Sequence, residues 1–548
     1  MKTQLSKNKK QKLPTRPYKG ARDFYPEDMR IRNYIFNIWR KTALKFGFEE
    51  YDFPLIEPFE IYAAKTSEEI VNKQLYSFED RGGRKVAIRP EKTPSVARMV
   101  AGRINELPRP IKWFNIGSCW RYEAPQKGRG REFFQFDCDI LGSESIIADV
   151  EVFIIPIEVM KSFGANKNMF EIRVNNRRFA EYYLKEVCRI NGSISERDTP
   201  LYKVAKAIDA RPKISAEKFD SLLDEAQLNR DQKQKVNGYL CSDLDLVKRY
   251  KVETKGAQEL IEFFTLIEQI GYSEFFKFSP EIMRGLDYYT GNVIEQFDLN
   301  PKNRRAMFGG GRYDNLVQQF SDKLVPGVGF AMGDMTLFEF LKQWELIPTL
   351  PTETKVYVTI FSKELQNEAF DLTKQLRDAG INTSQSLETE KLDKQLKYAD
   401  RKGIPYVAII GPEEKKKGVV KLKDMKKTVK IILDSNALFV PLQFKIDIFE
   451  ELKTLLKRNF EPILLMPVLR ELEKLADKGS PKMRRNASYA LRLAEKCKIV
   501  HVDEASVFSP DDVIVKTAME WSCPVFTNDR RLRKRLRDIN VPVIYVRQ

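Results

Sequence analysis

A single histidine, His501, occurs in 548 residues. Neither a zinc site of His/Cys type nor a Ser-His-Asp triad placed before residue 500 is therefore available. The six cysteines (Cys119, Cys138, Cys188, Cys241, Cys497, Cys523) form no CxxC pair and no metal-finger spacing, so a reducing, cytoplasmic setting is expected. Apolar runs are short: Ile463–Met466 meets a proline at once, far below the ~20 residues of a membrane span. The first twenty residues hold seven Lys/Arg, no acid and no apolar stretch, so no secretory signal is expected there. What the chain has in excess is positive charge, 94 Lys+Arg against 77 Asp+Glu, a net +17. That balance predicts a polyanion partner, nucleic acid ahead of membrane, because Lys and Arg release phosphate counterions. With 42% hydrophobic residues there is enough for several cores, and wholesale disorder is excluded.

At roughly 150 residues per domain the length predicts three or four domains. Residues 1–20 read as a basic flexible arm. From 21 to about 345 helices (Met29–Phe46, Glu144–Phe163, Gly256–Ile270) mix with strands (Lys112–Ile116, Phe133–Ile140, Asn292–Phe297) without regular alternation, which predicts an α+β domain around an antiparallel sheet. A charge-rich helical stretch at about 177–245 reads as an insertion. After the proline-rich break at 347–354 come a small α/β domain over 354–427 and, from 430 to 548, a renewed βα alternation that predicts a parallel sheet.

Three segments of the large domain carry chemistry. The stretch Phe114-Asn-Ile-Gly-Ser-Cys-Trp-Arg-Tyr-Glu123 reads as a strand ending in the short loop Ala124–Gly130 and returning through Arg131-Glu-Phe-Phe-Gln-Phe-Asp-Cys-Asp139. Arg121 at a strand end can neutralise a phosphate. The period of two sends Arg131, Phe133, Gln135, Asp137 and Asp139 to one face. Read alone, this pattern also fits a half-buried hairpin. The segment resembles the second signature motif of class II aminoacyl-tRNA synthetases, and Arg284-Gly-Leu-Asp-Tyr-Tyr-Thr-Gly291 is similar to a signature of histidyl-tRNA synthetases. Lys19-Gly-Ala-Arg-Asp-Phe24, Arg89-Pro-Glu-Lys-Thr93, Gly309-Gly-Gly-Arg-Tyr-Asp314 and Gly329-Phe-Ala-Met-Gly333 follow in the family's order.

The resemblance implies a class II antiparallel-sheet domain that joins the histidine carboxylate to the α-phosphate of ATP, with Mg²⁺ on the phosphates, and passes histidine to tRNA(His). Negative charge develops on phosphorus oxygens in that step, so fixed cations lower its barrier. It places Arg121 and Arg284 as those cations. It assigns Glu91 and Thr93 to the substrate amino group and Gln135, Asp139, Tyr288 and Tyr289 to its amine and imidazole. Glu123 falls near the adenine amino group, and Gly309, Gly310 and Gly311 are expected to let backbone approach the ligand. A homodimer is implied through the first class II motif near Pro54–Glu60.

One position departs from the family. Its third motif ends in Glu-Arg, the arginine packing against ATP, whereas Gly333-Asp-Met-Thr-Leu337 places Met335 and Thr336 there. Either another cation substitutes, with Arg312 as the candidate, or ATP binding is weaker. The domain at 354–427 resembles the family's anticodon-binding domain in Leu392-Asp-Lys-Gln-Leu-Lys-Tyr-Ala-Asp400 and Tyr406-Val-Ala-Ile-Ile-Gly-Pro412, but is cut short near Lys427.

In the last part, Ile431-Ile-Leu-Asp434-Ser-Asn436 sets an acid at the carboxyl end of an apolar strand, where open parallel sheets gather ligands. Glu471, Asp512 and Asp529 follow in or beside helices. Clustered carboxylates suit Mg²⁺ or Mn²⁺, although each acid alone could be a helix cap or first-turn residue. As a set they resemble a PIN-domain ribonuclease, with Asp434, Glu471, Asp512 and Asp529 as metal ligands and Asn436 as the polar position after the first acid. Arg530-Arg-Leu-Arg-Lys-Arg-Leu-Arg537 adds six basic residues in eight, suited to an RNA backbone. Three alternatives stay open at this point: a histidine-binding regulatory paralogue, a PIN domain that only binds RNA, and an accidental or artificial join of two proteins.

Overall fold

The computed structural model describes residues 13–63, 73–283, 288–303, 306–425, 428–456, 460–502 and 509–546. The chain divides into two compact units, Met1–Thr349 and Leu350–Gln548.

The first unit is built on an eight-stranded sheet with strands in the order Glu49–Glu50, Ile111–Trp120, Glu132–Leu141, Gly327–Gly333, Ala306–Arg312, Asn292–Asp298, Phe170–Asn176 and Phe276–Phe278. The six central strands run antiparallel, and the short outer strand at each end pairs parallel. Helices Pro26–Lys45, Ile146–Ser162 and Lys255–Gln269 contribute to the largest apolar core with Phe136, Cys138 and Ile140 of the third strand. Trp39 stacks on Phe136 at 5.5 Å, and Phe136 meets Phe330 edge-on at the same distance. One set of alternate residues on the third strand is thereby committed to the core, which turns Phe133, Gln135 and Asp137 toward a cavity. The charge-rich stretch folds as helices Pro200–Ala210, Ala216–Glu225, Arg230–Leu240 and Leu244–Arg249. Each starts on a capping residue whose side chain accepts a backbone N–H: Thr199, Ser215, Asn229 and Asp243.

The second unit holds two sheets. In the four-stranded sheet Thr383–Gln385, Val356–Val358 and Tyr406–Ile409 are parallel and Lys421–Asp424 closes one edge antiparallel. In the other sheet five strands, all parallel, lie in the order Lys498–Val500, Phe460–Leu465, Val429–Leu433, Val525–Phe526 and Val543–Ile544. Counted along the chain this order is 3-2-1-4-5. Winding reverses between the first and fourth strands, which is where an open α/β sheet opens a crevice at its carboxyl edge. The strand Phe460–Leu465 is not expected from the sequence. Pro462, which interrupts its apolar run and argues against a central strand, sits within it opposite Ile431.

Candidate active site

The first unit contains a cavity of about 1720 Å³. Its floor is the inward face of the Glu132–Leu141 strand, presenting Phe133, Gln135 and Asp137. Glu91, Thr93, Tyr288 and Tyr289 form one part of the lining. The Tyr288 hydroxyl donates to Glu91 Oε2 at 3.1 Å, and burial pushes that phenol well above its ordinary value. Arg121, at the end of the Ile111–Trp120 strand, also lines the cavity. It donates Nε–H to the Pro90 carbonyl at 2.9 Å and lies over the Phe133 ring at 5.2 Å, so a peptide oxygen and a π face fix its plane. Glu123 lies further along the lining and pairs with Arg129 at 3.3 Å.

Two buried charges of the same wall pair with each other. Lys92, buried, meets Asp137 Oδ2 at 2.9 Å and donates to the Gln135 carbonyl at 2.8 Å. It thereby holds the backbone that carries Gln135. Asp139 accepts the Tyr313 hydroxyl, and burial pushes its carboxyl up to about 7. Gly329 covers it closely: a Cβ there would stand 2.0 Å from Asp139 Oδ1, so only glycine fits. Asp139 thus sits one layer behind the wall, whereas Tyr313 reaches the cavity.

The second site lies at the crevice of the parallel sheet. Asp434 follows the Val429–Leu433 strand and stands at the N-cap position of helix Ser435–Phe444, with no side-chain capping hydrogen bond. It is 3% exposed. The Thr527 hydroxyl, beyond the fourth strand, donates to Asp434 Oδ2 at 2.6 Å, and Asn436 Nδ2 stands 3.4 Å from the same oxygen. Burial raises the Asp434 carboxyl against these donors. Glu471, on helix Met466–Lys478, is raised by burial and by the charges of Asp434 and Asp511. Asp511 is raised by burial and by the charges of Asp434 and Asp529. The oxygen donors suit a hard divalent cation, yet among the described residues no three acidic, His or Cys side chains stand close enough to hold one.

Comparison with known proteins converges on the same division. The family model described as histidyl-tRNA synthetase matches residues 20–337, an anticodon binding domain matches 355–439, and a PIN like domain matches 431–548. A histidine–tRNA ligase of Leptospira biflexa is 40% identical over 421 residues, covering 76% of this chain and 94% of its own. The chloroplastic/mitochondrial histidine–tRNA ligase of Arabidopsis thaliana is 35% identical, covering 75% and 83%. The chain belongs to the histidyl-tRNA synthetase family. The crystal structure of histidyl-tRNA synthetase from Nostoc sp. PCC 7120 superimposes with a TM-score of 0.64 at 27% identity, covering 75% of this chain and 95% of that one. The class II antiparallel fold, the anticodon-binding domain and the C-terminal PIN-like α/β domain are therefore all present.

Several expected site residues of this synthetase-family chain are placed differently. Arg312 does not face the cavity. It is 2% exposed and donates Nε–H to Asp149 Oδ2 at 3.0 Å and its other nitrogens to the Ser143 and Ser145 carbonyls at 2.9 and 3.0 Å. With Asp314 also 3.4 Å away, its guanidinium has no N–H to give a phosphate. Gly309 lines the cavity, but Gly310 and Gly311 make room for protein. A Cβ would meet the Gly329 carbonyl at 2.3 Å from Gly310 and the Tyr289 ring at 2.7 Å from Gly311. Asp512 is replaced in the acidic crevice by its neighbour Asp511. Asp512 closes a capping box with Ser509 and pairs with Arg535 at 2.6 Å, and these partners hold its carboxyl below the usual range. Asp529 caps helix Arg530–Asp538 by accepting the Arg531 and Leu532 N–H groups. Arg284 lies outside the described residues. The strand Val429–Leu433, inside the span matched by the anticodon model, pairs in the parallel sheet.

Proposed function

We propose that this chain is a histidine-tRNA ligase that also carries a metal-dependent ribonuclease site. In the first reaction a carboxylate oxygen of histidine attacks the α-phosphorus of ATP and pyrophosphate leaves. The 3′-terminal hydroxyl of tRNA(His) then attacks the acyl carbon and AMP leaves. Glu91, Thr93 and Gln135 take the substrate ammonium, Tyr288 and Tyr289 surround the imidazole, and Arg121 and Arg284 meet the charge that develops at phosphorus. The observation that carries this reading is Arg121. A guanidinium fixed by the Pro90 carbonyl and the Phe133 ring stands in the same cavity as the Tyr288–Glu91 pair. Preorganisation of that kind lowers a barrier without reorganisation during the reaction. Mg²⁺ on the phosphates adds further neutralisation. Charging of tRNA(His) with labelled histidine tests the reading, and loss of charging in Arg121→Ala with retained folding is expected.

For the C-terminal domain, Asp434, Glu471, Asp511 and Asp529 are the carboxylates that would have to draw together around Mg²⁺ or Mn²⁺, since among the described residues no three of them stand close enough to hold it as placed. A cation bound there would supply an activated water toward a phosphodiester. Thr527 and Asn436 orient Asp434, and the basic helix Arg530–Asp538 receives the RNA backbone. Support comes from the position of Asp434 and Thr527 at the winding reversal of the sheet. RNA cleavage in Mn²⁺ by wild type and by Asp434→Asn tests it; equal cleavage by both would remove the assignment. A homodimer, implied by the synthetase family, is checked by light scattering.

A further inference from the structure

Where the family's third motif directs an arginine at ATP, this chain has Thr336. The Thr336 hydroxyl donates to the Met307 carbonyl at 2.8 Å and lies 3.2 Å from the Gly333 carbonyl, so it is committed to the protein. Arg312 is closed off by Asp149. A different cation reaches this spot from the Ala124–Gly130 loop.

That loop lies across Met335 and Thr336. A Cβ added to Gly128 would stand 3.8 Å from Thr336 Cγ2, and one added to Gly130 would stand 3.1 Å from Met335 Sδ. Lys127, next to Gly128, places its Nζ 3.2 Å from Glu339 Oε2. Glu339 lies three residues beyond Thr336 on helix Asp334–Gln343, and that spacing puts the two on one helix face. Lys127, Thr336 and Glu339 all line the cavity. The ammonium thus occupies the side of the site that an arginine at 336 would reach. Arg129, two residues on, is paired with Glu123, the residue assigned to the adenine end.

We propose that Lys127 is the ATP phosphate-binding residue that stands in for the missing third-motif arginine, with Glu339 as its partner before ATP binds. The lysine side chain is 78% exposed and Glu339 28%. An exposed ion pair of this kind is weak, and a polyphosphate, with more charge and more acceptor oxygens, displaces the carboxylate. The flexible four-carbon stem lets the ammonium swing between the two anions.

The inference rests on reading the cavity as the ATP site, and direct binding separates the two. Calorimetry with Mg-ATP on the full chain is expected to show about tenfold weaker binding for Lys127→Met, the scale of a single ammonium–phosphate hydrogen bond. Glu339→Gln is expected to tighten binding by about threefold, because the competing anion is gone. Thr336→Arg placed in the Lys127→Met background is expected to recover most of the loss. If Lys127 only latched the loop to the helix, Lys127→Met and Glu339→Gln would weaken binding alike, and that result overturns the proposal. Equal ATP affinity in wild type and Lys127→Met overturns it as well. Absence of histidine-dependent exchange in a wild type that still binds ATP would count against the ligase reading and not against this one.

Discussion

Tyr288 and Glu91, 197 residues apart in the chain, meet through a hydrogen bond of 3.1 Å in the wall of the cavity. The phenol is buried and cannot ionise in the working pH range, so it acts as a donor that holds one oxygen of Glu91 and leaves the carboxylate oriented toward the cavity. Tyr288→Phe should raise the KM for histidine by about tenfold, the scale of one hydrogen bond to a charged group, with little change in the KM for ATP. Steady-state exchange kinetics with each substrate varied in turn separates the two constants.

Arg312 binds Asp149 in a pair closed from water, and Asp149 still has its carboxyl pushed up to about 6 by burial. Removing one partner leaves the other charge buried and unpaired. Arg312→Ala should therefore destabilise the first unit by about 3–5 kcal/mol, seen as an earlier transition in urea, while the ATP affinity of the folded fraction stays unchanged. A selective loss of ATP affinity without destabilisation would return Arg312 to the phosphate site.

Asp139 gives a pH dependence with a definite sign. Its carboxyl, at about 7 in the folded chain, lies near 3.9 when unfolded. Between those values the folded state binds the extra proton, so this group's contribution to stability falls as pH rises from about 4 to about 7 and stays low above that. Asp139→Asn removes the titration. The stability difference between variant and wild type should shift toward the variant by roughly 1–4 kcal/mol across that window, measured as urea midpoints at pH 5 and pH 8. A difference that does not change with pH would show that Asp139 does not titrate in this range.

Asp511 and Asp512 are adjacent in sequence and differently placed: the charges of Asp434 and Asp529 reach Asp511, whereas Asp512 is held by Ser509 and Arg535. Asp511→Asn should lower RNA cleavage in Mn²⁺ by about tenfold or more, as loss of a cation ligand does. Asp512→Asn should retain most of the cleavage and instead loosen the pairing with Arg535. The reverse order of effects would restore Asp512 to the acidic crevice.

The residues that carry local periodicity were legible from sequence. Of the alternating set Arg131, Phe133, Gln135, Asp137 and Asp139, the middle three reached the cavity, with Phe136 and Cys138 on the opposite face in the core, while Arg131 donates to the Tyr18 hydroxyl and Asp139 lies behind the wall. The place of Asp434 at the carboxyl end of the apolar strand Val429–Leu433 was legible, although the same position is also the N-cap of the helix that follows. What escaped depends on partners far away in the chain. Nothing near Arg312 announces Asp149, which lies on a helix 163 residues earlier. The choice between Asp511 and Asp512 turns on about 100° of helix rotation per residue, and here a local signal existed: Ser509 three residues before Asp512 is a capping box. The Phe460–Leu465 strand was hidden by Pro462, which breaks its apolar run although the strand lies inside the sheet.

Histidine-dependent ATP–pyrophosphate exchange by the full chain in Mg²⁺ is the decisive measurement for the ligase reading. Exchange should require histidine, saturate with it and be abolished by Arg121→Ala. No exchange at saturating histidine, ATP and Mg²⁺ in a folded preparation would contradict that reading.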